Sequence, residues 1–298
     1  MELLVCGDLH LKPGGEAHPI EGIPIADGID FALVVGDLTH RDGPDDVALA
    51  REFVEYVTDA VPLLYVPGNH DHMPMPERVV DGINDAAVAH ETAFETGDFS
   101  VVGWGCTQRS LEPPLDVRDF EPLDPTTKPP SERRYAADAA ADQLLEACAA
   151  VIIEEQPAST VATELGLTRE EQARFKTGVE TVAARYDTLE GVLTDAEHAL
   201  LATHLSPYNT SFDRHHSVGD RDAALEVLHT GSIAIQLAIQ SHDVFTAVSG
   251  HTHAQGYDVG TGPAGQPHLV NLGFRGVAEF TLRPDDGAFS YTTVDIPF

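Results

Sequence analysis

Five short apolar segments, each ending abruptly in a polar cluster, constrain the fold of this chain more than any other feature. They show no polar alternation, which is typical of strands buried on both faces. Their length and the loop residues that follow favour strands over buried helix segments. In chain order they read ELLVCGDLH, FALVVGDLTH, PLLYVPGNHDH, ALLATHLSP and VFTAVSGHTH. The pattern predicts an α/β fold.

A helix is predicted between the second and third of these strands. The segment GPDDVALAREFVEYVTDA has Pro44 at a first-turn position, acidic residues early and apolar residues at helical spacing. The segment FSVVGWG predicts that the sheet continues. Near the C-terminus, alternating segments predict hairpin strands that form a second, more antiparallel sheet. They read AQGYDVG, HLVNLG, VAEFTLRP and AFSYTTVDIP.

Residues 106–195 differ in character from the rest of the chain. They begin with the Pro-rich motifs EPPL, EPLDP and KPPS, which a helix cannot traverse. Two helices are predicted next, over about 132–155 and 168–190, and the second opens with a capping box at Thr168. We predict a single domain over 1–298 with this segment as an insertion. The insertion could be a cap, a surface for homo-oligomers, or a solvated helical hairpin without a chemical role.

The charge balance is strongly acidic. The formal net charge is -32, from 49 acidic and 17 basic residues, and the bases are 14 Arg but only 3 Lys. Such a carboxylate surface stays hydrated in concentrated salt, which indicates a halophile's protein; a merely acidic protein is the alternative. A negative surface also argues against nucleic-acid partners. Molar salt weakens that argument, because the screening length falls to about 3 Å.

The cysteines and the N-terminus indicate a soluble, cytoplasmic protein. Cys6, Cys106 and Cys148 are odd in number, far apart and outside any CxxC pair, so we expect buried free thiols. A strand-like segment follows Met1 at once, without a basic leader. No apolar stretch reaches membrane-spanning length, so no membrane partner is expected.

The polar clusters that follow the five apolar segments supply metal-binding groups. Ligands gather beyond the carboxyl ends of strands in α/β sheets, so we expect these side chains to meet at one edge. Carboxylate, amide and imidazole donors without thiolate suit Mn²⁺, Fe, Co²⁺, Ni²⁺ or Zn²⁺. Seven ligands exceed the need of one ion, but a bridging carboxylate divides them into the two four-ligand sites of a dinuclear centre. The seven are Asp8, His10, Asp37, Asn69, His204, His251 and His253.

Five motifs together resemble the calcineurin-like metallophosphoesterase family. They are GDLH, GDLTH, GNHDH, ATHLSP and GHTH, in the family's order, over residues 7–253. Each motif alone is weak evidence, but the ordered set, each member after an apolar segment, is specific. The resemblance implies a four-layer α/β/β/α sandwich of two mixed sheets, with a helical insertion. It also implies hydrolysis of a phosphoester by a metal-bridging hydroxide.

The resemblance further implies a role for each motif residue. Asp37 would bridge the two metal ions. His70 is similar to the family's non-ligating histidine, which faces the scissile phosphate, and Asp71 is similar to the acid that orients it. The first metal ion would be held by Asp8, His10 and His253, and the second by Asn69, His204 and His251.

A thinner resemblance points to the Icc-like phosphoesterase branch. It rests on the segments THLSPYNTSFD, HTGSIAIQLAIQ, VSGHTH and VNLGFRG. Ser206 precedes Pro207 where the branch has Pro-Pro, and Asn271 is followed by Leu272 rather than Pro. These departures leave the subfamily's substrate open.

Three further residues are candidates for substrate contact. His40 follows the second motif and could touch substrate or cap its loop. Arg214 could pair with a phosphate oxygen in bidentate fashion, or it could lie in a surface loop with solvated His215 and His216. Arg275, in NLGFRG, is a third candidate cation near the expected site.

The leading hypothesis is therefore a dimetal phosphoesterase that hydrolyses a small phosphodiester, a phosphomonoester or a nucleotide. Manganese is the favoured metal, and Fe, Zn, Co and Ni are alternatives. A nuclease of the same family is the runner-up, which the missing basic groove disfavours. A non-catalytic protein-binding scaffold is a further alternative, although such a scaffold would have lost ligands that this chain retains.

Overall fold

Two mixed sheets of six strands each form the centre of the computed structural model, which describes residues 1–14, 20–97, 99–109, 111, 113–214 and 226–296. The strands are β1 (Glu2–Gly7), β2 (Phe31–Val35), β3 (Leu63–Val66), β4 (Ala86–Val88), β5 (Thr92–Thr96), β6 (Phe99–Trp104), β7 (Ala199–Thr203), β8 (Val244–Ser249), β9 (Gly256–Val259), β10 (His268–Asn271), β11 (Gly276–Arg283) and β12 (Ala288–Thr293). The helices are α1 (Pro44–Thr58), α2 (Met75–Val80), α3 (Arg133–Ile152), α4 (Ala158–Glu164), α5 (Arg169–Leu193) and α6 (Ile233–Ser241).

The first sheet has the strand order β12-β11-β1-β2-β3-β4. Strands β1 to β4 are parallel, whereas β11 and β12 are antiparallel additions beside β1. Side chains of β1 alternate between two cores: Leu3 and Val5 face the second sheet, and Leu4 and Cys6 face the helices. Both faces are therefore apolar, which explains why the sequence of this strand shows no alternation.

The second sheet has the order β5-β6-β7-β8-β10-β9, with β6, β7, β8 and β10 parallel. The predicted four-layer sandwich of two mixed sheets is confirmed. The assignment of all four C-terminal segments to one second sheet is wrong, because β9 and β10 join this sheet whereas β11 and β12 extend the first. Alternation of apolar and polar residues indicates that one face of a strand is buried, but it does not indicate which strand lies next to it in a sheet. Phe280 and Leu282 of β11 lie in the core between the two sheets.

Helices α1 and α2 cover the outer face of the first sheet. The predicted helix after the second strand is confirmed as α1, which starts at Pro44 and buries Ala50, Phe53, Val54 and Val57. These side chains pack against the outward residues of the parallel strands. The strand, helix, strand unit thus places the ends of β2 and β3 side by side.

Helices α3, α4 and α5 follow β6 and precede β7 in the chain. Together with α6 they cover the outer face of the second sheet. The two predicted helices are confirmed over 133–152 and 169–193, and α4 was not predicted. The capping box is present: the Thr168 hydroxyl accepts from the Glu171 backbone N–H, and the Glu171 carboxylate accepts from that of Thr168. Leu144, Phe175 and Leu189 share one core with sheet residues. The helices are therefore packed on the sheet and are not a solvated hairpin, whereas the absence of a chemical role stays a prediction.

The three cysteines are buried and unpaired, as expected. Burial raises the pKa of the Cys6 thiol and of the Cys148 thiol to about 12. Within the described part of the chain, no helix combines the length and the apolar character needed to span a bilayer.

Candidate metal centre

The candidate ligands lie in the loops that follow five strands, three in the first sheet and two in the second. Parallel strands of both sheets end at a common edge, and β1, β2, β3, β7 and β8 deliver the ligands there. Five ligands adopt the left-handed backbone conformation, which costs a non-glycine residue on the order of 1–3 kcal/mol. They are Asp8 (φ 51°), His10 (φ 47°), Asp37 (φ 52°), His251 (φ 69°) and His253 (φ 56°). Such a concentration of strained residues is typical of functional sites.

Asp8, His10 and His253 form the first ligand group. The Nε2 atoms of His10 and His253 are 3.0 Å apart, and His253 Nε2 is 3.8 Å from Asp8 Oδ1. Asp8 is fully buried and accepts hydrogen bonds from the His251 backbone N–H at 2.9 and 3.1 Å. One atom from each of the three side chains could bind a common ion.

Asn69, His204 and His251 form the second group. Asn69 Oδ1 is 2.9 Å from His204 Nε2 and 3.2 Å from His251 Nδ1. Asp37 lies between the groups, because its Oδ2 is 3.6 Å from His10 Nε2 and its Oδ1 is 3.5 Å from His204 Nε2. The structure therefore brings all seven predicted ligands together.

The hydrogen-bonding pattern tests whether these residues fit a metal centre. His204 Nδ1 lies 3.0 Å from the Val35 carbonyl, an acceptor, so this nitrogen carries a proton. The carboxylates of Asp37 and Asp8 outweigh burial and raise the pKa of His204, and the protonated ring donates its Nε2–H to Asn69 Oδ1 at 2.9 Å, where a metal ion would replace that proton. The Nε2 atoms of His10 and His253 face each other at 3.0 Å, so a shared proton or a cation lies between them, because two lone pairs would repel. Buried, converging lone pairs of N and O atoms fit divalent cations.

Burial and local charge set the protonation of these ligands. Burial lowers the pKa of His10 and of His251 to about 3, so both stay neutral and able to ligate. Burial raises the pKa of Asp8 to about 8, against the opposing effect of His204. For Asp37, burial acts to raise the pKa, but the neighbouring imidazoles, led by His204, outweigh it and lower the pKa.

His70 lies beside the two groups with part of its ring exposed. Its Nδ1 is 2.7 Å from the His40 carbonyl, which directs Nε2 towards Asp37 Oδ2 at 4.0 Å. The expectation that Asp71 orients this ring is wrong, because the hydrogen bonds that the structure gives Asp71 come from elsewhere. The donors are the backbone N–H groups of Asp37, Leu38 and Gly68, and the Tyr65 hydroxyl.

Asp71 therefore holds the loops together. It is fully buried, and it joins the loop after β2 to the loop after β3. Gly68 is required here, because a Cβ atom at this position would lie 2.1 Å from the Asp37 backbone nitrogen. Sequence reasoning missed Tyr65, although a tyrosine within an otherwise apolar strand was a signal for a buried polar contact.

The three predicted substrate residues lie in different surroundings. The His40 ring centroid is 5.6 Å from that of His10 and 5.1 Å from that of His70. Arg275 donates its backbone N–H to the Asp8 carbonyl at 3.0 Å. The Arg214 guanidinium instead pairs with Asp138 of α3 and donates to the Val227 carbonyl, so the structure gives it structural partners rather than the expected phosphate site. His215 and His216 lie outside the described residues.

Sequence reasoning also missed several cations near the site, and it missed the Phe274 ring beside His10 and His253. Burial, followed by the charges of Lys12, His70, Arg41 and Arg109, lowers the pKa of His40. Lys12, His40 and Arg41 line a cavity of about 410 Å³, together with Pro13, Asp45 and Asp46. The proximity of Lys12 and Arg41 to His10 and His40 in the chain was a usable signal.

The two ligand groups at the edge of an α/β sandwich together define a candidate metal-binding protein. The chain matches the family model of the calcineurin-like phosphoesterases over residues 1–255. It belongs to this family and is a hydrolase that acts on phosphoester bonds. The family uses a dinuclear divalent metal centre, and the Asp and His cluster described above could bind metal.

Two solved structures are similar to the chain at low identity. A phosphopantetheinyl hydrolase from Mycobacterium tuberculosis has 15% identity and a TM-score of 0.48, covering 92% of this chain and 89% of that one. A 5′-nucleotidase precursor from Thermus thermophilus has 13% identity and a TM-score of 0.44, covering 99% of this chain and 54% of that one. Neither likeness bears on the substrate. A comparison with curated proteins found no match.

Proposed function

We propose that the protein is a two-metal phosphoesterase that hydrolyses a phosphodiester or phosphomonoester, either a small molecule or a nucleotide. The observation that carries this proposal is the convergence of imidazole nitrogens with carboxylate and amide oxygens in two adjoining buried groups. Manganese is the favoured metal of the set that oxygen and imidazole donors without thiolate can bind. Fe, Zn, Co and Ni are the alternatives.

Each ligand has a proposed place in the centre. Asp37 would contribute to both metal sites, since it lies within 3.6 Å of one nitrogen from each group. Two bound divalent ions would supply an activated water near neutral pH and positive charge for the phosphoryl oxygens. One ion would be held by Asp8, His10 and His253, and the other by Asn69, His204 and His251.

His70 is the proposed proton donor. Its Nδ1 carries a proton because it faces the His40 carbonyl, which can only accept. The doubly protonated ring can transfer the Nε2 proton to the leaving ester oxygen as the P–O bond breaks, which leaves a neutral imidazole and an alcohol. Its Nε2 lies 4.0 Å from Asp37 Oδ2, so the nitrogen that would transfer the proton faces the ligand groups.

The charge near the site supports an anionic substrate. The whole chain carries a formal charge of -32, yet Lys12, Arg41 and Arg109 all act on His40 beside the ligand groups. Asp45 and Asp46 also line the cavity of Lys12 and Arg41, so the local field is mixed there. His40 and Arg275 are proposed substrate contacts because both adjoin the ligand groups.

A substrate panel tests the proposal. Protein purified in high salt is stripped of metal and reloaded with Mn²⁺, Fe²⁺, Co²⁺, Ni²⁺ or Zn²⁺. Hydrolysis of bis(p-nitrophenyl) phosphate, p-nitrophenyl phosphate, cyclic nucleotides and single-stranded DNA is then compared. We expect metal-dependent turnover of the small esters and loss of both turnover and bound metal in Asp37→Asn.

Two outcomes of the panel would contradict the proposal. Faster cleavage of single-stranded DNA than of every small ester would favour a nuclease. No hydrolysis with any metal, together with binding of no metal, would favour a protein-binding scaffold.

We also infer that the protein works in the cytoplasm of a cell with concentrated internal salt. The strongly acidic composition is the basis for inferring concentrated salt. Three buried, unpaired cysteines agree with a reducing compartment. Residues 106–195 are a proposed insertion whose exposed helix faces could pair two copies of the chain. Size measurement by light scattering in molar KCl tests that pairing, and a monomer at every protein concentration would contradict it.

A further inference from the structure

An exposed aromatic ring lies directly against the candidate metal ligands. Phe274 is 53% exposed, and its ring centroid is 5.0 Å from that of His253 and 5.8 Å from that of His10. Among the described residues, the other exposed large apolar side chains have no ring contact with a candidate ligand in the structure. They are Tyr135, Ile153, Tyr257 and Val259.

The backbone around Phe274 is anchored, so the ring is presented in a defined place. The Gly273 N–H donates to Asn271 Oδ1 at 2.8 Å, and the Gly276 N–H donates to the Gly273 carbonyl at 3.2 Å. The Arg275 N–H donates to the carbonyl of Asp8, itself a candidate ligand. This turn is therefore tied by a hydrogen bond to the backbone of a candidate ligand.

The exposure of the ring has a physical implication. Covering an apolar ring with another apolar surface removes it from water and is favourable, and an aromatic surface adds a stacking contribution. The Arg275 guanidinium carbon is 5.1 Å from the ring centroid, so a positive charge accompanies the ring. A planar group joined to a phosphate would satisfy the ring, the cation and the metal ligands together.

We propose that Phe274 is a substrate-positioning platform that stacks on a planar aromatic group of the substrate, which selects nucleoside phosphates over aliphatic phosphoesters. This inference rests on the proposed phosphoesterase function and narrows its substrate class. Phosphate contacts alone do not distinguish the two classes, because both carry the same reacting group. The distinction therefore depends on what the ring covers.

Inhibition constants test the platform. AMP, ribose 5-phosphate and inorganic phosphate are compared as competitive inhibitors of bis(p-nitrophenyl) phosphate hydrolysis. The first two differ only in the base. Because stacking on a protein aromatic ring strengthens binding of a base on the order of tenfold, we expect AMP to bind that much more tightly than ribose 5-phosphate. Phe274→Ala should abolish the difference, and Phe274→Trp should retain it.

Two controls separate stacking from a packing role. Tyr135→Ala removes a ring that is 81% exposed on α3 and should leave the AMP preference unchanged. Metal content is measured for every variant, because Phe274 contacts two ligands. If Phe274→Ala weakens AMP, ribose 5-phosphate and inorganic phosphate equally, the ring only supports His10 and His253, and the proposal is wrong.

The failure of this inference differs from the failure of the proposed function. Equal affinity of the wild-type protein for AMP and ribose 5-phosphate, with metal-dependent hydrolysis present, overturns the platform alone. If no ester is hydrolysed, the proposed function fails, and calorimetric titration of the metal-loaded protein with the same three ligands still decides whether the base is bound.

Discussion

At the scale of single residues, the site places side chains that stay neutral beside side chains that stay charged. His10 and His251 stay neutral because burial disfavours their charged forms, whereas Asp37 stays charged because imidazoles surround it. Asp71 binds none of these rings, and it satisfies backbone donors of two loops instead. The candidate ligands and the residue that holds the loops in place are therefore distinct.

Removal of the His70 imidazole should separate proton transfer from metal binding. Because a positioned general acid contributes about 10²- to 10⁴-fold to rate, we expect His70→Asn to lower kcat within that range. Metal content should stay at the wild-type value, since His70 is not a proposed ligand. Elemental analysis and initial rates are the measurements, and wild-type kcat in this variant would show that His70 has no role in proton transfer.

Metal binding should release protons at neutral pH. The pKa of Asp8 in the metal-free protein is raised to about 8 by burial, so the carboxyl is protonated below that pH. A divalent ion must displace this proton, so metal affinity should rise with pH up to about 8 and then level off. The raised pKa of His204, where Asp37 and Asp8 outweigh the opposite effect of burial, acts in the same direction.

Calorimetry in two buffers with different ionisation enthalpies measures this release. We expect about one proton or more per protein at about pH 6.5 and fewer at about pH 9. Equal heats in the two buffers at the lower pH would mean that the ligands are already deprotonated.

Loss of the Tyr65 hydroxyl should destabilise the protein. Tyr65 is fully buried and donates to the Asp71 carboxylate, and a hydrogen bond to a charged group contributes about 1.5–3 kcal/mol. Tyr65→Phe should lower the free energy of urea unfolding by that amount. Tyr56→Phe is the control, because its hydroxyl donates to the neutral Ile23 carbonyl and should cost less. Equal losses in the two variants would show that the Tyr65 hydrogen bond to Asp71 contributes no more than one to a neutral carbonyl.

At the scale of elements, the position of a strand in its sheet decides which other side chains the residues after it can reach. Strands β1, β2 and β3 supply ligands from one sheet, and β7 and β8 supply them from the other. Helices α3 to α5 share one core with the second sheet. A change confined to the first turn of α5 should therefore affect the stability of that layer rather than the chemistry at the edge.

The capping box of α5 allows that separation to be tested. Because an N-cap Thr→Ala change costs about 1 kcal/mol, Thr168→Ala should lower the free energy of unfolding by that amount without changing kcat. Thr181→Ala, at an exposed interior position of the same helix, should cost nothing or stabilise slightly. A kcat change in Thr168→Ala alone would couple this helix to catalysis.

At the scale of the whole molecule, the charge governs behaviour in salt. A net charge of -32 produces self-repulsion that concentrated salt screens. We expect the urea midpoint to rise steadily with KCl into the molar range, and activity to follow it. A midpoint that is constant above about 0.2 M KCl, where the screening length is already under 10 Å, would indicate a merely acidic protein.

Much of the fold and the site followed from local patterns. The apolar segments predicted β1, β2, β3, β7 and β8, and the polar residues after them predicted all seven candidate ligands, because strand ends and ligand chemistry are local properties. The places of β11 and β12, the partners of Asp71 and Arg214, and the exposure of Phe274 could not be predicted, since each depends on residues far away in the chain.

The sequence by itself determined which side chains can bind metal, since donor type is a property of each residue, and that they follow strands. Only the tertiary structure decided that two separate sheets share one ligand-bearing edge. His10 and His253 are 243 positions apart in the chain, yet their Nε2 atoms approach to 3.0 Å. Stacking of the sheets through the buried core brings them together, and no local pattern encodes that contact.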